Sequence, residues 1–600
     1  MKKVIIFLTS VCLFCSLAVS TKVVKANSND YFKGQTLTIY NVEDYISQGE
    51  EGYVDIIGNF EKEYGVKVNY YTYDTNETMY NQFKLNNGLY DLICTSDYMI
   101  QKLIKEDLVE KMDDYSEKIP NYERYASKAL RVKLKEMIVN KPVYNLNKEL
   151  TGTESVSLDE YAVGYMWGTL GILYDPEFTD TFREDVKSWD VFWDPKYKDV
   201  ISLKNSIRDA FVVGLMHSYS KSEDYQKIMN EYLDNPTLEN QKKYNKLVQE
   251  IFDFKLDGSE ASDKENKEDE AIEEYALNET VEEKIQKVKE ELISMKQNIF
   301  GLEVDSGKND MVTGKIKMNL AYSGDAVYSM DTALEDLGKT LEYYVPLDGS
   351  NIWYDAWTLP KGANKELAYE FLNYLSDPAT AADNMDYIGY TPYIVGDELF
   401  TLTGVWYGAT DYLITSSYAK DDEVQVIYEN KLYTCIKDKD SDEEILPTNT
   451  EYFECNEWSI EGEYSEGDMI SYNGKIYNCI SDDNNNDITD ENSFVLVEPY
   501  DLSYLFEGSL SEGRRAIIYP YYGSENKLET QYPSENTIAR CAIMNDFGDY
   551  NDEVVIMWGQ VKAYVDMTPV YVILICFLVA SVSLATVYFV KKKINDSYKN

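Results

Sequence analysis

Residues 36–98 read TLTIYNVEDYISQGEEGYVDIIGNFEKEYGVKVNYYTYDTNETMYNQFKLNNGLYDLICTSDY. Five segments inside this stretch decide the architecture. Residues 36–40 (TLTIY) are a short run of β-favouring side chains, and residues 52–64 place apolar residues at helical spacing. Residues 66–71 return to a strand pattern, and residues 76–85 read as a helix opened by an Asn or Thr cap. Residues 91–94 (DLIC) read as a buried strand. Strand–helix–strand–helix–strand order implies a doubly wound α/β lobe, whose ligands lie at the carboxyl ends of its strands. A second α/β stretch begins near Trp167.

The whole chain has 600 residues, too many for one compact core, and its composition (44% hydrophobic, 27% charged) is that of folded domains. Against 57 Lys and Arg stand 106 Asp and Glu, a net charge of −49. Such a surface excludes nucleic acid as a partner, because phosphate binding needs clustered cations, and it suits cationic ligands. His217 is the single histidine. That count excludes a His-rich zinc site and leaves any Ser-His-Asp or Cys-His enzyme dependent on one residue. His217 itself reads as a helical packing residue. No cofactor and no metal are expected.

Both ends carry targeting signals. Lys2 and Lys3 precede an apolar run over 4–19, and small residues follow near 24–26, so residues 1–26 read as a signal peptide, with an uncleaved anchor as the alternative. Residues 569–590 hold no formal charge, enough at 1.5 Å per residue to cross a hydrocarbon core of ~30 Å. Lys591, Lys592 and Lys593 follow, which assigns 591–600 to the cytoplasm and the body to the extracellular face of a single-pass protein. The exported part keeps Cys94, Cys435, Cys455, Cys479 and Cys541, an odd set, so at least one thiol is unpaired or pairs between chains.

Two segments interrupt the α/β pattern. Residues 234–283 are rich in Lys, Glu, Asp and Asn and read as an exposed acidic insertion. Residues 419–498 contain two similar units, VIYENKLYTCI at 426–436 and ISYNGKIYNCI at 470–480, each an alternating pattern around a hairpin turn. They resemble the small β-modules that bind chitin or cellulose in secreted glycosidases. Only Trp458 is nearby to form a sugar platform, which favours a structural or protein-contacting insert.

Eleven short stretches then occur in a family's order: YNVEDY (40–45), FEKEYGVKV (60–68), NETMY (76–80), YDLICTSDY (90–98), WG (167–168), SWDVFWDPKY (188–197), RDAF (208–211), WYD (353–355), YIGYTP (387–392), YDLSY (500–504) and RCAIMNDFG (540–548). Together they make the chain resemble the spermidine/putrescine-binding proteins of ABC uptake systems. The resemblance implies a periplasmic-binding-protein-like α/β fold of two hinged lobes. Lobe one takes 36–167 and 353–395, and lobe two takes 168–352 and 396–565, with the β insert hanging from lobe two. It implies a non-enzymatic, monomeric receptor that captures a polyamine by cleft closure and delivers it to an ABC permease and its ATPase subunits.

A polyamine site needs carboxylates spaced to meet the amines and flat rings to cover the methylenes. Carried over by motif, Asp355 holds one amine and Trp353 stacks on the chain. Tyr45, Tyr98 and Tyr390 form walls, Ser96 hydrogen-bonds, and Asp209 meets the second amine. Tyr322 stands where the family often has Trp, and Ser206 where it has Asp or Ser. Val42 replaces a usual Trp, and Met544 stands where some members have Gln. Two alternatives remain: a sensor or adhesin whose β insert binds a surface glycan or protein, and a glycosidase, for which no motif names an acid pair.

Overall fold

The computed structural model describes residues 29–597 except 87, 146, 148, 254–279, 305, 421, 483–486, 566 and 567. The expected signal peptide lies outside the described residues.

The opening stretch forms strand Thr36–Val42, helix Ile56–Tyr64, strand Lys67–Tyr73, helix Asn76–Leu85 and strand Leu92–Ser96. Asp55 opens the first helix by accepting from the Gly58 N–H, and Gly65 closes it in the left-handed conformation that favours glycine. Thr75 caps the second helix through the Thr78 N–H. Thr36–Val42 runs parallel to both of its neighbours, as crossover helices require.

The main sheet orders its strands Lys67–Tyr73, Thr36–Val42, Leu92–Ser96, Ser350–Thr358, Ala162–Tyr174, Met318–Tyr322, Ile201–Lys204, Ile299–Glu303. Ala162–Tyr174 joins the two halves. It pairs antiparallel with Ser350–Thr358 from Ala162 to Thr169, then with Met318–Tyr322 from Leu170 onward. Every one of its residues is buried, which is why AVGYMWGTLGILY is unbroken rather than alternating. Ile201–Lys204 lies parallel to Met318–Tyr322 and to Ile299–Glu303, which builds the second α/β half. Two large cores follow, one around Ile39, Phe60, Ile93 and Trp357, the other around Trp189, Phe211, Tyr244 and Trp558.

Three expectations need correction. The segment 234–283 is not wholly exposed: Leu238–Phe252 is a helix that buries Tyr244, Leu247, Val248, Ile251 and Phe252 in the second core. Its apolar stripe sits at helical spacing inside a charged sequence. Residues 254–279 of that segment lie outside the described residues. Nor does all of 396–565 belong with the second core. Leu399, Phe400, Tyr407, Leu502, Phe506, Ile518 and Tyr532 join the first, because helix Asp397–Gly404 continues to pack on helix Pro378–Ile388, which precedes it in the chain. Only the end of the body, Ala539 to Val561, packs on the second core.

The third correction concerns the paired units. Gln425–Tyr428 and Lys431–Cys435 form one hairpin, Met469–Tyr472 and Lys475–Cys479 the other, each turning through two residues of positive φ. The first unit does not hang free. Gln425–Tyr428 pairs with Gly408–Asp411, which pairs with Ile517–Pro520, so its sheet is continuous with the body. Cys94, Cys435, Cys455, Cys541 and Cys576 are free thiols. The chain ends in helix Thr568–Ser597, whose apolar window Ile575–Lys592 is covered by no other part of the described structure.

Candidate ligand-binding cleft

The two halves face each other across a cleft of about 530 Å³. It sits at the carboxyl ends of the strands of both: Val42, Tyr73 and Ser96 on one side, Lys204 and Tyr322 on the other, with Trp353 and Asp355 on the strand between. All nine side chains expected from sequence line it: Tyr45, Ser96, Tyr98, Ser206, Asp209, Tyr322, Trp353, Asp355 and Tyr390. Val42 and Met544, the two departures from the family pattern, line it as well.

Asp355 is the centre of the aromatic end. Tyr45 donates its hydroxyl to Asp355 Oδ2 at 2.8 Å, while Oδ1 is buried without a hydrogen-bond partner. Burial pushes its pKa up to about 6, tempered by the Ser96 and Tyr45 hydroxyls. Around it the rings meet edge to face: Trp353 with Tyr390 at 5.4 Å, Trp353 with Tyr322 at 5.7 Å, and Tyr45 with Tyr390 at 5.3 Å. Ser96 accepts from Asn76 Nδ2 at 3.0 Å.

At the other end Asp209 accepts the Tyr322 hydroxyl, and burial raises its pKa against Tyr322, Ser206 and the cations Lys204 and Arg208. Ser206 caps helix Ile207–Tyr219 through the Asp209 N–H. Tyr98 presents one face to the protein itself, with the Arg208 guanidinium 3.7 Å from its ring centre.

Sequence reasoning missed four groups here. Lys204 pairs with Asp325 at 2.9 Å, and Tyr390 donates to the same carboxylate at 2.8 Å. Arg208 lies in the quoted RDAF stretch, yet only its neighbour Asp209 was assigned a role; its guanidinium donates to the Met544 and Asn545 carbonyls. Asp97 accepts the Tyr354 N–H at 3.0 Å, and burial pushes it up to about 7, against Tyr354 and Arg208.

Helix N-termini converge on this space, and their partial positive charge by itself suits an anion. Each brings an acid in its first turn: Glu77, Asp97, Asp209 and Asp325. In all, eight carboxylates and four cationic side chains border the cleft. The balance therefore favours a cationic guest whose apolar part lies against rings.

The sequence pattern of the family described as "Bacterial extracellular solute-binding protein" matches residues 55–395, more than half of the chain. The chain belongs to this family. Its members are substrate-binding transport proteins, not enzymes. Among curated relatives of this solute-binding protein, the spermidine/putrescine-binding periplasmic protein of Salmonella typhimurium is 25% identical over 389 residues, 64% of this chain and 84% of that one. The putrescine-binding periplasmic protein SpuD of Pseudomonas aeruginosa is 28% identical over 368 residues, 59% of this chain and 77% of that one. A solved structure, the spermidine/putrescine ABC transporter substrate-binding protein PotD of Streptococcus pneumoniae, is 24% identical with a TM-score of 0.39, covering 62% of this chain and 90% of that one.

Proposed function

We propose that this chain is a membrane-tethered extracellular receptor that captures a polyamine, putrescine or spermidine, and delivers it to an ABC permease. The observation that carries the reading is Asp355: a buried carboxylate with one oxygen unpartnered, set beneath Trp353, Tyr45 and Tyr390 in the cleft between two halves. A buried acid of this kind needs a cation, and the rings supply cation–π attraction of ~0.5–2 kcal/mol together with cover for methylenes. On this reading Asp209, on the other half, meets a second amine. Closure of the halves then excludes water and strengthens each charge contact.

The names of the relatives support the ligand class. The apolar helix at the C-terminus, ~45 Å long at 1.5 Å per residue, supports the tether, and Lys591, Lys592 and Lys593 at its end support a cytoplasmic tail. Calorimetric titration of the full chain with putrescine and spermidine tests the reading; absence of binding to both abandons it. Asp355→Ala is expected to weaken binding at least tenfold, about 1.4 kcal/mol. An unchanged affinity moves the site elsewhere.

A further inference from the structure

The cleft carries an ammonium of its own. Lys204 ends strand Ile201–Lys204, is 7% exposed, and sets its Nζ 2.9 Å from Asp325 Oδ2 and 4.5 Å from the centre of the Tyr322 ring. The same tyrosine gives its hydroxyl to Asp209, and Tyr390 gives its own to the other Asp325 oxygen. An acid beneath a cation and an aromatic face over it are what a ligand's amine requires. Here a side chain fills both. Asp355, by contrast, keeps Oδ1 unpartnered in the cleft that Trp353 and Tyr390 also line.

We infer that Lys204 is a specificity-determining residue: its ammonium fills the acid-and-ring subsite beside Asp209 from within the protein, so the cleft takes a diamine and disfavours a triamine. The inference rests on the polyamine reading and goes beyond it by ranking its two ligands. A third ligand ammonium at that end meets a fixed like charge in a partly dehydrated cleft, where repulsion is stronger than in water. Swinging Lys204 away costs Asp325 its 2.9 Å ion pair and leaves this buried carboxylate the charge of Lys308 alone. Both groups stay charged. Burial works against the ammonium, but Asp325, Glu303 and Asp209 outweigh it and hold its pKa above the usual lysine value. Burial likewise opposes the carboxylate, and Lys204 and Lys308 hold Asp325 below the usual range.

Titration calorimetry on the detergent-solubilised full chain, with putrescine and spermidine as probes, decides the matter. The wild-type chain is expected to bind putrescine at least tenfold more tightly than spermidine. Lys204→Met is expected to raise spermidine affinity relative to putrescine at least tenfold, since the internal ammonium on Asp325 is then gone. The double change Lys204→Met with Asp325→Asn removes that acid too, and the spermidine gain is expected to vanish. A purely structural role for Lys204 instead lowers both affinities together. An unchanged ratio in a folded Lys204→Met protein, judged by its Tm, overturns the inference while putrescine binding leaves the receptor reading standing. Should Lys204→Met not fold, the wild-type ratio alone decides: equal or tighter spermidine binding overturns it. Binding of neither amine removes the receptor reading and this inference with it.

Discussion

Asp355 and Asp97 are carboxyls that burial pushes up from 3.8 to about 6 and about 7. The folded chain therefore holds protons over a range where the unfolded chain has released them. The contribution of these two groups to stability is fully present below 3.8 and is lost as pH rises through about 6 to 7. Ligand capture has the opposite sign, because an ammonium needs Asp355 ionised. Putrescine affinity is expected to be at least tenfold higher at about pH 7.5 than at about pH 5, with Asp355→Asn weak at both. Calorimetry at the two values checks this, and a wild-type affinity flat across them removes Asp355 from the ligand contact. Asp355, Asp209 and the rings were legible from sequence because short motifs carry them. Lys204 and Asp325 were not, since they lie 121 residues apart and only the parallel neighbours Ile201–Lys204 and Met318–Tyr322 bring them together.

Among the elements, the helix that follows Tyr322 is held by a close approach. A Cβ on Gly324 lies 2.3 Å from the Tyr390 ring, so no larger residue fits without displacing that ring. Tyr390 in turn bonds Asp325 and packs on Trp353 and Tyr45. Gly324→Ala is expected to cost about 1–3 kcal/mol of stability and to weaken putrescine binding at least tenfold. Gly559→Ala, inside helix Asn551–Ala563 where a Cβ meets nothing within 4 Å, is the control and is expected to stabilise by about 0.5–1 kcal/mol and to leave putrescine binding unchanged. Thermal melts and titration of the two variants measure the difference, and equal behaviour means that Tyr390 is no wall of the site. The strands and helices of residues 36–98 were readable because each has one dominant period. Leu238–Phe252 was hidden: Tyr244, Leu247, Val248 and Ile251 form a helical stripe, but the surrounding Lys, Glu and Asn dominate any average over the segment. The first paired unit was readable as a hairpin, but its joining to Gly408–Asp411 was not, since strand neighbours distant in sequence leave no local pattern.

For the whole molecule, the question is where the packed body ends and the apolar C-terminal helix begins. Helix Asn551–Ala563 buries Val554, Met557, Trp558 and Val561 against the second core, and Trp558 and Lys562 also border the cleft. Lys296 fastens its end, donating to the Val561 carbonyl at 2.9 Å and the Tyr564 carbonyl at 2.8 Å. Helix Thr568–Ser597 begins only a few residues later, so the second half of the cleft is the one that leads into the apolar helix. A chain ended after residue 565 therefore keeps every packed element of the body and sheds only the apolar helix. It is expected to stay in the supernatant without detergent and to bind putrescine within about threefold of the full chain. A chain ended after residue 550 loses four buried apolar side chains from the second core, each worth ~1.5–3 kcal/mol, and is expected to melt well below the longer one or not to fold. Centrifugation against membranes and titration distinguish these outcomes. Retention of the 565-residue form in the membrane pellet would show that the N-terminal apolar run, not the C-terminal helix, holds the receptor at the surface.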